Sequence, residues 1–274
     1  MQKTKIEWCT MTWNPVTGCW HGCNYCYAKK IAERFGDTPC ESGNCCYCAD
    51  CREHLLGFRC QSYRPAEKIH TLENKRYWYV PRRRVRQFPY GFEPTFHTYR
   101  LDEPIMHKKP ERIFVVSMGD LFGDWVPEGW ITKVFDACIQ APQHKYMFLT
   151  KNPKRYEQLA GKGLLPPCGN FWYGQTATQG RVSASYLDKD IYHQFLSAEP
   201  LCDEVESLGF DMVILGAETG NRKGKYIPTI RNIMQSADNS MGCVFMKDSL
   251  VPIIGEKDMR REIPDELKLQ WEEK

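Results

Sequence analysis

The sequence predicts an α/β protein built on a partial, TIM-like (β/α)6-7 barrel of parallel strands, with a Cys-rich insertion after the first βα unit. Three observations predict it. Short apolar runs alternate with amphipathic segments after residue 112, polar residues recur where those runs end, and the periodicity breaks between residues 37 and 90.

The first unit is an extended segment, Met11–Thr17 (MTWNPVT), followed by a cysteine-bearing loop and a helix over Ala28–Phe35 (AKKIAERF). Six strands are expected later: Arg112–Ser117, Lys145–Thr150, Phe171–Thr176, His193–Ala198, Met212–Ala217 and Cys243–Lys247. Runs this apolar suit parallel strands buried on both faces. Helices are expected between them, for example over Glu128–Gln140 and Thr229–Ala237, and such alternation builds βα units. The barrel is thus assigned to residues 1–36 and 91–274, and residues 37–90 to the insertion.

Polar residues close each run: Ser117 and Asp120, Thr150 and Lys151, Gln175 and Thr176, Ser197 and Glu199, Glu218, then Lys247 and Asp248. One such residue is explained by loop polarity or helix capping. Recurrence at six strand ends points to one mouth, because parallel barrels gather their sites at the C-terminal strand ends.

Composition narrows the class. With 274 residues, 42% of them hydrophobic, the chain can bury one large core and a small accessory module. The segment Met1–Trp8 carries no apolar run of the signal-peptide kind. No stretch approaches the ~18 apolar residues of a membrane span. A cytoplasmic protein without membrane partners is expected. The net charge of +3 gives no global electrostatic signature, yet residues 64–112 hold a basic excess.

Ten of the fourteen cysteines precede residue 61. Clustered cysteines in a reducing compartment more often bind metal than form disulfides. The dispersed Cys138, Cys168, Cys202 and Cys243 are expected to pack as small hydrophobes.

Cys19, Cys23 and Cys26 form a CxxxCxxC motif. Iron–sulfur clusters are held by thiolates in short runs of this kind. Three thiolates on a 4Fe-4S cluster leave one iron without a protein ligand, open to the amino and carboxylate groups of S-adenosylmethionine (SAM). The competing reading is zinc, with His21 as fourth ligand.

The motif resembles the radical SAM superfamily signature, with Tyr25 as the aromatic residue before the third cysteine. Further segments resemble a phage-associated branch of that superfamily, of unassigned function: WNPVTGC, CxxCYA, VxSMxDLF, PQHxxxxLTKxP, FLSxEPL and VILGxExG, spanning Thr4 to Met246. Two departures are the Cys40–Cys60 segment, which looks like an addition, and Cys9, where the branch tends to have a polar residue.

The resemblance implies an enzyme in which a reduced cluster cleaves SAM to methionine and a 5′-deoxyadenosyl radical that takes a hydrogen atom from an unidentified substrate. It also implies a one-electron reductant such as a flavodoxin or ferredoxin. Roles follow from position. Ser117 and Asp120 would contact the SAM amino group, and Thr176 and Thr178 the ribose hydroxyls. Glu199 and Glu218 would bind ribose or substrate, and Gly216 and Gly220 would admit the adenosine. Lys151 and Lys247 would neutralise the SAM carboxylate or an anionic substrate.

The insertion carries a second metal candidate. Cys45 and Cys48, and Cys48 and Cys51, have ligand spacing, with Cys40 and Cys60 flanking them; Cys46 makes six thiols, more than one site needs. A structural zinc and an auxiliary 4Fe-4S cluster both fit, as do unmetallated thiols. The following stretch sets Lys75, Arg76, Arg82, Arg83, Arg84 and Arg86 beside Tyr77, Trp78 and Tyr79. It reads as a nucleic-acid or nucleotide contact, an acidic-partner contact, or a solvated loop whose Arg stems cover apolar surface. A non-catalytic zinc protein that binds nucleic acid through residues 40–86 is the alternative to the enzyme.

Overall fold

The computed structural model describes residues 1–36, 69–73, 88, 90–219 and 225–269. The chain begins with a two-residue strand β1 (Gln2–Lys3) and then β2 (Met11–Trp13), whose three residues are all buried. Asn14-Pro15 ends β2, as a proline cannot donate into the ladder. The chain then passes into β3 (Val16–Thr17), the cysteine loop and helix α1 (Tyr27–Phe35). Strands β4 (His70–Leu72) and β5 (Thr95–His97) join β3 in a small sheet of order β3-β5-β4. Only β4, Phe88 and a few neighbours of the predicted insertion lie within the described residues.

After helix α2 (Glu103–Met106) the alternation expected from the sequence sets in: β6 (Arg112–Val115), α3 (Glu128–Ile139), β7 (Lys145–Thr150), α4 (Lys154–Gly161) and β8 (Phe171–Ala177). A short β9 (Gly180–Ser183) follows, then β10 (His193–Ala198), β11 (Val205–Leu208), β12 (Met212–Leu215), α5 (Ile230–Asp238), β13 (Cys243–Met246) and α6 (Val251–Ile254). The central sheet has eight strands in the order β1-β2-β6-β7-β8-β10-β12-β13. All its pairings are parallel except β1 with β2. Strands β9 and β11 pair with each other outside it. The sheet is open among the described residues, since β13 does not pair back to β1 or β2.

Alternate residues of each strand point to opposite faces, and the two faces are covered differently. Ile113, Val115, Tyr146, Phe148, Phe171 and Tyr173 pack against α3 and α4 through Ile131, Val134, Phe135 and Leu159. Leu196, Ala198, Val213, Leu215, Val244 and Met246 pack against Ile233 and Ala237 of α5. The cluster on the other face contains no α-helix among the described residues. Phe114, Met147, Trp172, Phe195, Ile214 and Phe245 gather into one group with Trp8, Cys9 and Leu267. Gly174 makes this possible: a Cβ there would lie 2.3 Å from the Phe195 ring. Among the described residues no helix is long and apolar enough to cross a membrane.

Candidate functional site

The cysteine loop leaves β3 beside the C-terminal end of β6. Gly18 (φ 88°) abuts the Glu93 carbonyl so closely that a Cβ would sit 2.2 Å from it, so only glycine fits. The Gly18 N–H donates to the Met118 carbonyl at 2.9 Å, and Gly18 bridges Gly119. Just before them, Val116 has φ 60°, a region a β-branched residue enters only under constraint. That turn, with Val116 N donating to the Trp13 carbonyl at 2.7 Å, brings Ser117 and Met118 over Asn14. Asn14 Oδ1 accepts from Met118 N at 2.9 Å and Ser117 Oγ at 3.2 Å.

Cys19, Cys23 and Cys26 are free, half-buried thiols. Cys26 caps α1, its sulfur accepting the Lys29 N–H at 3.4 Å. Cys19 Sγ accepts the His21 N–H at 3.5 Å. Desolvation pushes the Cys19 thiol up to about 12, the His21 N–H opposing it. A bound metal supplies the charge that deprotonates such a thiol. Among the described residues no three His, Cys, Asp or Glu side chains converge as single-ion ligands. The donor set itself, three soft sulfurs of which two receive backbone N–H bonds, suits an iron–sulfur cluster.

Asp120 is the hub of the loop. It is 4% exposed. One oxygen accepts from Phe122 N at 2.9 Å and Thr150 Oγ1 at 2.8 Å. The other accepts from Lys151 N at 3.0 Å and His21 Nε2 at 2.8 Å. Its lone pairs are committed to the scaffold, a different use from the predicted contact with a ligand amino group. Trp125 stands edge-on to His21 with ring centroids 4.9 Å apart and near Trp20 at 5.6 Å. Lys151 Nζ lies 5.3 Å from the centre of the Tyr25 ring, so these two predicted residues meet above the loop.

A cavity of about 1150 Å³ opens between the N-terminal segment and the strand ends, with Glu7, Thr12, Asn14, Thr17, Tyr27, Ser117 and Lys247 in its walls. Tyr27, next to the capping Cys26, donates its hydroxyl to the Ser117 carbonyl at 2.6 Å. At the other end Lys247 pairs with Glu199 at 2.5 Å and approaches Glu7 at 3.9 Å. Gly216 leaves room for that pair: a Cβ would meet Lys247 Cδ at 3.0 Å and Glu199 at 3.3 Å. Glu218 is buried and accepts from Tyr226 N at 3.1 Å. Thr176 sits on β8 opposite Ser197, and the Thr178 carbonyl accepts from Cys202 N at 2.7 Å. Cys9 and Cys138 are buried in the core clusters, as packed thiols are. Gly220, the thiols Cys40, Cys45, Cys46, Cys48, Cys51 and Cys60, and the basic stretch from Lys75 to Arg86 lie outside the described residues.

His97 supports the start of the loop. Its ring contacts Thr17 Oγ1 at 2.9 Å. Burial first, and the Arg100 charge second, push it down to about 3 from an ordinary 6.5. The unfolded chain therefore binds a proton here that the folded chain refuses. Stability is fully present above pH 6.5 and falls as pH drops through the window from 6.5 toward 3. His97→Gln is expected to flatten that acid limb by several kcal/mol, read from urea unfolding at stepped pH. An unchanged acid limb would contradict the assignment.

Sequence reading misses Asn14, Tyr27, Glu7 and the bond from His21 to Asp120. Asn14 has a local signal, an Asn-Pro pair ending a strand. The others depend on partners 90 or more residues away.

No curated protein and no solved structure matches the chain. The similarity of its motifs to the radical SAM superfamily and to a phage-associated branch does not extend to membership: no radical SAM family matches, and the family that does is one of unknown function. Matched over residues 3–248 by the family described as Protein of unknown function (DUF5131), the chain belongs to that family.

Proposed function

We propose that Cys19, Cys23 and Cys26 hold a 4Fe-4S cluster and that the chain is an enzyme that cleaves S-adenosylmethionine reductively to take a hydrogen atom from its substrate. The observation that carries the reading is the position of three half-buried thiols, two already accepting backbone N–H bonds, on a loop beside a cavity at the strand ends. The reading rests on this chemistry and not on kinship. When bound, the cluster and SAM supply the one-electron chemistry, with an external reductant such as a flavodoxin or ferredoxin as donor.

The chain's own residues bind and orient. Lys247 offers a cation at the cavity for a carboxylate, and Glu199, drawn to it at 2.5 Å, offers acceptors for ribose hydroxyls. Ser117 lines the cavity, its hydroxyl donating to Asn14 and its carbonyl held by Tyr27. Lys151 over Tyr25 puts a second cation at the loop. Asp120 orders the loop. We read the sheet as a partial barrel. Its parallel strands run in sequence order, helices cover one face, and the other face packs on itself around Trp8. Glu7 accepts from Asp248 N at 3.0 Å, bringing the two edges of the sheet near each other.

The test is metal analysis of anaerobically prepared protein. Equal amounts of iron and acid-labile sulfide are expected, with a change in the electron paramagnetic resonance of the reduced cluster when SAM is added. Zinc alone, bound through this loop, would overturn the reading.

A further inference from the structure

His21 lies between the first two cysteines, and its side chain does not point back at them as part of a converged ligand group. Its Nε2 meets the Asp120 carboxylate at 2.8 Å, which makes that nitrogen the donor, since a carboxylate only accepts. Asp120 is fixed by three further donors, Phe122 N after β6 and Thr150 Oγ1 and Lys151 N at the end of β7. The backbone N–H of His21 reaches Cys19 Sγ at 3.5 Å. The imidazole is thus tied to the rigid sheet at one end while the amide rests on a thiol at the other. Gly22, at φ 70°, gives the loop no packing of its own at that point: a Cβ there would meet nothing within 4 Å.

We propose that His21 is a positioning residue for the three-cysteine loop, holding its own N–H on the Cys19 sulfur through the anchor on Asp120. The proposal deepens the cluster reading above and rests on it for the redox consequence. The anchoring itself does not need a metal. An N–H···S bond stabilises charge on the sulfur and so raises a cluster's reduction potential. Without the anchor the loop loosens, Cys19 becomes accessible, and the bond is lost for most of the time.

The experiment compares wild type, His21→Ala and His21→Gln, the last retaining a side-chain N–H that can reach Asp120. In metal-free protein, iodoacetamide labelling of Cys19 is followed by peptide mass spectrometry, with buried Cys138 as the control for global unfolding. Labelling of Cys19 is expected to rise about tenfold in His21→Ala and to stay near wild type in His21→Gln, with Cys138 unchanged; a tenfold change corresponds to about 1.4 kcal/mol of lost anchoring. In protein reconstituted with iron and sulfide, His21→Ala is expected to show a more negative midpoint potential, restored in His21→Gln. Equal Cys19 labelling in all three proteins would overturn the proposal, as would equal potentials in proteins that hold the cluster. A wild type that holds no iron while Cys19 labelling still responds to His21 would overturn the cluster reading and leave the anchor standing.

Discussion

Replacing any one of Cys19, Cys23 or Cys26 with alanine is expected to leave the chain folded and unable to hold a cluster on this loop. The three thiols are half-buried and belong to none of the three core clusters, so little packing is lost. In the proposed cluster each would supply one of only three protein ligands, so the loss is expected to be all-or-none rather than graded. After anaerobic reconstitution, iron should fall to whatever Cys40, Cys45, Cys48, Cys51 and Cys60 hold by themselves, and to none if that segment takes zinc. Cys138→Ala is the contrast. That thiol is fully buried, so its loss should cost about 1 kcal/mol of stability and no iron. A Cys19, Cys23 or Cys26 variant with wild-type iron would remove the loop from the account.

Asp120→Ala is expected to cost about 3–5 kcal/mol, the largest stability effect of any residue at the site. The carboxylate is 4% exposed and satisfies donors from three segments: His21, Phe122 N, and the pair Thr150 Oγ1 and Lys151 N. Alanine removes the acceptor of the Thr150 hydroxyl and of the Phe122 and Lys151 amides. Thr150→Val removes one donor and should cost about 1 kcal/mol. Urea unfolding measures both, with an unchanged slope marking a stability effect alone. Equal costs for the two variants would mean that Asp120 is not the hub described.

Much of the scaffold is legible because its signals are local. Lys145–Thr150 and His193–Ala198 read as strands with the bounds observed, since each is an apolar run closed by polar residues. Arg112–Ser117 reads two residues too long: β6 ends at Val115, where Val116 turns to φ 60° to meet the cysteine loop. Met212–Ala217 is too long for a related reason, since the β12 ladder stops before Gly216, beside the Glu199 and Lys247 pair. The exposed Gly180–Ser183 carries no apolar signal, so β9 escapes a reading of periodicity.

At the site, the cysteine trio and the strand-end Ser117, Glu199 and Lys247 are legible from spacing and position. Three contacts are not: His21 with Asp120, Tyr27 with Ser117, and Glu7 with Lys247. They join residues 99, 90 and 240 positions apart. The same difference explains the corrected kinship. The motifs that resemble the radical SAM superfamily run from Thr4 to Met246, and short motifs of this kind do not by themselves record descent.

The central claim is tested most directly by incubating anaerobically reconstituted protein with dithionite and SAM and assaying 5′-deoxyadenosine. It is expected to form even without substrate and to be abolished in Cys23→Ala. Iron-loaded protein that leaves SAM intact, or product that persists in Cys23→Ala, would contradict the claim.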